Sequence, residues 1–170
     1  CGGFPESDFA PGRVASVAAN RIGFMITLDT IRKPVTAELE AFDEFVERQF
    51  TAEGELLSDM LRYALSSRGK GIRPLLVLLS AAMNSPVAEA AKGRRVHLAA
   101  MLVEMIHVAS LIHDDVIDEA DMRRGKPSAN ARWQSHKAVI LGDYILARNL
   151  SIGLGSGQFD LVTHVCGSMA

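Results

Sequence analysis

Cysteine is nearly missing from this chain: of 170 residues, only Cys1 and Cys166 carry a thiol. Two cysteines cannot build a disulfide framework, and without a CxxC pair they suggest no zinc site. The expectation is a reducing compartment. An excess of charge of one sign is missing too. Eighteen Lys and Arg stand against twenty Asp and Glu, for a formal net charge of −2. That removes the electrostatic reason to expect a nucleic-acid partner or an anionic membrane surface. The longest apolar stretches, 75–83 and 98–112, fall short of the roughly 20 residues of a membrane span, and Glu104 and His107 interrupt the second. Nothing before Asp29 joins a basic start to a long apolar run, so no signal peptide is read. A soluble, cytoplasmic protein is expected. Period-two alternation, internal repeats and low-complexity tracts are also absent, which leaves no convincing strand.

What is present is apolar residue in quantity, 48%, with 22% charged, enough for one domain with a real core. The opening CGGFPESDFAPG is turn-rich, and with a first residue other than methionine the chain is expected to be processed, engineered or cropped. Residues 1–27 are expected to be a poorly ordered leader, and 28–170 part of a single all-α domain. From Leu28, Ile31, Val35, Leu39, Phe42, Phe45 and Val46 recur at helical steps, with Pro34 suited to a first turn. Further helices are predicted over 56–65, 75–83, 94–118 and 135–154. SSRGKGIRP, NSP and MRRGKPSAN are read as loops. The architecture expected is an antiparallel helical bundle.

The helix over 94–118 ends in a crowd of acids. Asp114, Asp115, Asp118, Glu119 and Asp121 arrive together, followed by Arg123 and Arg124. At about 100° per residue, His107, Ser110, Leu111, Asp114 and Asp118 share one face, and Asp115 lies beside it. Acids at a helix C-terminus oppose the macrodipole, and like charges one turn apart repel. A sequence that works against local stability in this way points to function more than to a solvated helix end. Asp114 and Asp118, about 6 Å apart along the axis, can share Mg²⁺, which takes one or two carboxylates plus substrate phosphate. An EF-hand is excluded by the missing glycine and closing glutamate. Arg123 and Arg124 are either surface ion pairs or forks for phosphate oxygens. Beside metal-binding acids, they make a receptor for a diphosphate.

RGKGIRP, from Arg68 to Pro74, sets Lys70 and Arg73 in a glycine-rich turn, with Pro74 suited to the first position of a new helix. A helix start can serve as an anion site, but by itself the motif, short and degenerate, reads better as an interhelical turn with solvated basic ends. His107, on the acidic face, is open between a core residue and a hydrogen-bond donor. His113 lies off that face and is read as structural.

GKGIRP, EMIHVASLIHDDVIDEADMRRGKPSAN and VILGDYILA, in this order, resemble the trans-prenyl (polyprenyl) diphosphate synthase family over residues 28–154. The resemblance implies the isoprenoid synthase fold and Mg²⁺ as cofactor. It also implies condensation of isopentenyl diphosphate with an allylic prenyl diphosphate, giving a longer trans-polyprenyl diphosphate, commonly by a homodimer. Asp114, Asp115 and Asp118 match the first aspartate-rich motif, whose outer acids bind Mg²⁺ holding the allylic diphosphate. Arg123 matches an arginine contacting that diphosphate. Lys70, Arg73, His107 and Arg124 match residues that hold isopentenyl diphosphate. Asp143 matches a recurrent position whose role is open. Ala109 and Ser110 occupy the positions that in the family stop chain growth when bulky. Both are small here, which resembles long-chain, octaprenyl-like synthases.

The family's second aspartate-rich motif is absent: after Asp143 the only acid is Asp160. The chain therefore resembles the amino-terminal half of the family's bundle, and alone it is expected to be inactive or nearly so. Two alternatives stand beside the synthase reading. A non-catalytic partner subunit would explain the missing motif but has less need of an intact first one. A terpene cyclase would use DDxxD but has no use for GKGIRP and His107.

Overall fold

Residues 27–84 and 93–168 are described by a computed structural model. Cys1, the rest of the expected leader up to residue 26, and most of the NSP break lie outside the described residues. The helices follow in the order α1 (Leu28–Arg32), α2 (Thr36–Gln49), α3 (Glu55–Ser66), α4 (Ile72–Asn84) and α5 (Arg94–Ile117), and then, after a short hairpin, α6 (Ala129–Trp133), α7 (Ser135–Gly155) and α8 (Phe159–Gly167).

The first expected helix is divided by its proline. Thr27 caps α1 by accepting the Thr30 N–H at 3.2 Å. Pro34 then sits in a 3-10 turn, Lys33–Val35, that separates α1 from α2, because its ring and missing N–H break the ladder. Val35, Phe42 and Val46 enter the core as expected, but Ile31 is left exposed. Pro74 also differs from expectation: α4 starts two residues before it, at Ile72. The proline still lies in the first turn, where no N–H is needed.

α5 is the axis of the bundle. Leu98, Ala100, Met101, Leu102, Met105, Val108 and Ala109 are all buried, and α5 packs against α2, α4, α6, α7 and α8. A helix enclosed on this many sides is apolar nearly all round. Its main partner, α7, presents Ala138, Leu141, Gly142, Ile145, Asn149 and Gly153 at steps of three and four. An added Cβ on Gly142 would overlap the His113 ring, and one on Gly153 would stand 3.0 Å from Leu102. Contacts that run from 113 down to 102 on α5 as α7 runs from 142 up to 153 make the pair antiparallel. Asn149, fully buried, donates from Nδ2 to the Leu102 carbonyl at 3.0 Å and ties the crossing together. Each large side chain sealed there, such as Met101, Met105, Leu141 or Ile145, contributes about 1.5–3 kcal/mol.

Two expectations are corrected here. α5 and α7 are long and apolar enough, by length and composition, to cross a membrane, although the apolar stretches read from the sequence fell short. Glu104 and His107 interrupt the apolar run, not the helix, which continues through both as expected. The region read as the loop MRRGKPSAN holds a hairpin, β1 (Met122–Arg123) and β2 (Lys126–Pro127), and then the short helix α6. Its two central residues, Arg124 and Gly125, have φ of 52° and 77°, the signs of a type I′ turn.

Candidate functional site

The site is built at the C-terminus of α5. Asp118 caps the helix, and its N–H bonds the Asp114 carbonyl at 2.8 Å. Glu119 follows with φ of 50°, while Glu119 N bonds Val116 O and Ala120 N bonds Asp115 O. This is a Schellman ending with glutamate in the left-handed position where glycine is the usual choice. The backbone strain and the clustered acids coincide, as at a functional site.

The acids part company here. Asp115 is 4% exposed, and both of its oxygens accept from Arg123 Nε, at 2.8 and 2.7 Å. That bond holds the Arg123 guanidinium still more firmly protonated than usual. Asp114 and Asp118 are exposed and, among the described residues, have no ion-pair partner. Among the described residues no three His, Cys, Asp or Glu side chains converge as a metal cage. Two open carboxylates a turn apart nevertheless fit Mg²⁺, which needs few protein ligands when phosphate supplies the rest.

The hairpin separates the two arginines. Arg123 points back to Asp115, whereas Arg124, in the turn, reaches the loop after α3 and donates to the Ser67 carbonyl at 3.4 Å. Its guanidinium lies where a Cβ on Gly69 would be, and Gly69 has φ of 86°, so the backbone favours glycine there, and a side chain would displace the guanidinium. Tyr63 on α3 fastens the hairpin by donating to the Pro127 carbonyl at 2.6 Å. Ser128, buried, closes the same loop: its Oγ donates to the Ala120 carbonyl at 2.6 Å and accepts the Ala131 N–H at 3.0 Å as cap of α6.

Around this corner the basic residues assemble. Burial pushes the half-buried His107 imidazole below its ordinary value of 6.5; Arg73, Arg124 and Arg123 act in the same direction, and Asp114 opposes them. These five side chains, from α4, α5 and the hairpin, are therefore within electrostatic reach of one another. The Lys70 carbonyl is held by the Arg32 guanidinium, and Lys70 lines a cavity of about 430 Å³ with Arg68, Gly69 and Glu104. Arg68 itself is committed elsewhere, to Asp43 at 3.0 Å and the Leu65 carbonyl at 3.0 Å. A larger cavity, about 610 Å³ between α2 and α3, is lined by Asp43, Glu47 and Arg62 and lies away from the acids. The chemistry, not the volume, marks the site.

Ser110 is exposed on the face of Asp114, with its Oγ donating to the His107 carbonyl at 2.9 Å, while Ala109 is fully buried. His113 Nε2 stands 3.4 Å from Asp143 and 3.3 Å from the Val139 carbonyl. Arg32 and Glu104 were not singled out from sequence. A lone acid one turn before His107, inside an apolar helix, was the available signal for Glu104. Arg32 had none.

A bundle of antiparallel helices, with open aspartates at the end of its central helix and a basic arc beside them, defines an isoprenoid synthase-type fold. The model of the polyprenyl synthetase family matches residues 54–168, and the chain belongs to that family. It is 42% identical over 113 residues to the nonaprenyl diphosphate synthase of Mycobacterium tuberculosis (strain ATCC 25618 / H37Rv), covering 66% of this chain and 32% of that one. It is 43% identical over 113 residues to heptaprenyl diphosphate synthase component 2 of Geobacillus stearothermophilus, covering 66% and 34%. The crystal structure of a decaprenyl diphosphate synthase from Rhodobacter capsulatus superposes with a TM-score of 0.70 at 27% identity, covering 82% of this chain and 42% of that one. The chain thus spans about a third of the length of the curated relatives it matches.

Proposed function

We propose that this chain carries the first acidic wall and the basic arc of a Mg²⁺-dependent prenyltransferase. The reaction joins isopentenyl diphosphate to an allylic prenyl diphosphate and makes a longer trans-polyprenyl diphosphate. The observation that carries this reading is the division of the acids: Asp115 is taken by Arg123, and Asp114 and Asp118 are left open beside it. Mg²⁺, when bound, supplies positive charge that stabilises a departing diphosphate. Asp114 and Asp118 would hold it, and the remaining Arg123 donors would bind the same diphosphate. The allylic C–O bond then breaks with its electron pair leaving on the diphosphate. The double bond of isopentenyl diphosphate attacks the cation, and a proton is lost. Lys70, Arg73, His107 and Arg124 would hold the second diphosphate, with His107 neutral and able to donate. Small Ser110 and Ala109 support a long-chain, octaprenyl-like product, as do the names of the relatives.

The chain has no second aspartate-rich motif, so we propose that it does not turn over alone and that further polypeptide completes the cavity. The word component in the name of the Geobacillus relative supports a second chain as one source, and a homodimer is the other arrangement proposed. The cytoplasm is proposed as its location; the support is that 56% of the membrane-length stretch of α5 is buried inside the bundle, against 33% of that of α7. The experiment is calorimetric titration of the chain with inorganic pyrophosphate, with and without Mg²⁺. A Mg²⁺-dependent component of binding is expected beside any binding by the basic arc alone, and that component is expected to be lost in Asp114→Asn and Asp118→Asn. Binding that Mg²⁺ does not strengthen, or a Mg²⁺-dependent component that survives both substitutions, would refute the assignment.

A further inference from the structure

Glu104 stands one turn before His107 in the middle of α5. It is 2% exposed, and its Oε2 has no hydrogen-bond partner among the described residues. An acceptor buried in this way is costly, and more so when it is ionised. Glu104 also forms the inner wall of the 430 Å³ cavity above the Gly69 turn, which Arg32, Arg68 and Lys70 share.

The charged groups within electrostatic reach of it come from four segments. They are Arg68 in the loop after α3, Arg73 on α4, Arg124 in the hairpin turn and Asp43 on α2. Arg68 and Asp43 neutralise each other at 3.0 Å, so Arg73 and Arg124 supply the charge that remains. Burial pushes the Glu104 carboxyl up from its ordinary value, and the three arginines oppose that rise.

Lys70 lines this cavity, and the Arg124 guanidinium lies against Gly69 at its rim. Cations gathered in this way repel unless a counter-charge lies among them before any anion arrives. A buried carboxylate does this better than an exposed one, since less water screens it. We propose that Glu104 is a positioning residue, a buried counter-charge that keeps Lys70, Arg73 and Arg124 converged in the free protein, so that a diphosphate meets a preformed site. Asp115 does the same for Arg123 about three turns further along α5. The inference rests on the reading that this basic arc receives a diphosphate.

The test is calorimetry with inorganic pyrophosphate in the absence of Mg²⁺, where the basic arc alone is read, on the wild-type chain, Glu104→Gln and Glu104→Asp, with thermal melts of all three. Simple charge counting says that Glu104→Gln, having lost a negative charge, binds pyrophosphate more tightly. Positioning says the opposite: affinity falls at least roughly tenfold, the effect typical of a residue that orients a binding group. Glu104→Asp restores most of it, and Glu104→Gln melts no lower than wild type, because it removes a buried unpaired charge. Equal or tighter binding by Glu104→Gln overturns the inference and leaves the diphosphate reading standing. Weak binding that accompanies a lowered melt and is not restored by Glu104→Asp also overturns it, in favour of a purely structural role. A wild-type chain that does not bind pyrophosphate overturns the diphosphate reading and the inference with it.

Discussion

Asp114, Asp115 and Asp118 have the same chemistry within five positions, yet only Asp115 is buried and paired. Substituting alanine at 115 would leave Arg123 with an unanswered donor beside the core. The expected loss is about 2 kcal/mol, the scale of a hydrogen bond to a charged group, read as a lower urea midpoint. Asp118→Ala removes an exposed, unpaired side chain and is expected to leave stability within about 0.5 kcal/mol. Equal effects at the two positions would remove the distinction drawn between them. At this scale the sequence was legible only in part. Helical spacing put Asp114 and Asp118 on one face and Asp115 beside it. It could not show that Asp115 turns inward, because the residue that draws it there, Arg123, lies on a separate hairpin.

The α5–α7 pair depends on where side chains are missing. Gly142 leaves a notch for the His113 ring, whereas Gly155, the last residue of α7, has open space around it. Alanine at 142 forces the ring out or the helices apart and is expected to cost about 2 kcal/mol, as overpacking does. Alanine at 155 touches nothing and removes backbone freedom from the unfolded chain, so a gain of about 0.5 kcal/mol is expected. Chemical denaturation of the two variants checks both signs, and a stabilising Gly142→Ala would contradict the packing described. The long helices were legible: residues 94–118 and 135–154 were expected, and Arg94–Ile117 and Ser135–Gly155 are observed. The hairpin and α6 were not. Elements this short have little periodicity, and their stability comes from Tyr63, 64 positions from Pro127, and from Ser128.

For the molecule as a whole, the buried titratable groups set the response to acid. His97 and His107 both titrate below the ordinary imidazole value of 6.5, chiefly because of burial. Above 6.5 both states leave them neutral, and their contribution is present. As pH falls through the lowered folded values, the unfolded chain binds protons first and that stability is lost. Glu104 works in the other direction, since a carboxyl raised in the folded state contributes below its ordinary 4.5 and loses that as pH rises. Urea midpoints are therefore expected to fall from pH 7 to pH 5, and to fall less in a His97→Gln, His107→Gln double variant. A double variant with the wild-type slope would show that other groups govern acid stability.

The sequence by itself determined the helical architecture, the limits of the central helices and the shared face of His107, Asp114 and Asp118. Those features follow from backbone periodicity, which is local and can be counted along the chain. Tertiary structure alone decided which aspartate is paired, how Arg123 and Arg124 diverge, and that Glu104 lies within electrostatic reach of arginines from three other segments. Each of these depends on partners brought together across the fold. Arg124 meets Ser67 across 57 positions, and no periodicity within either segment encodes that meeting.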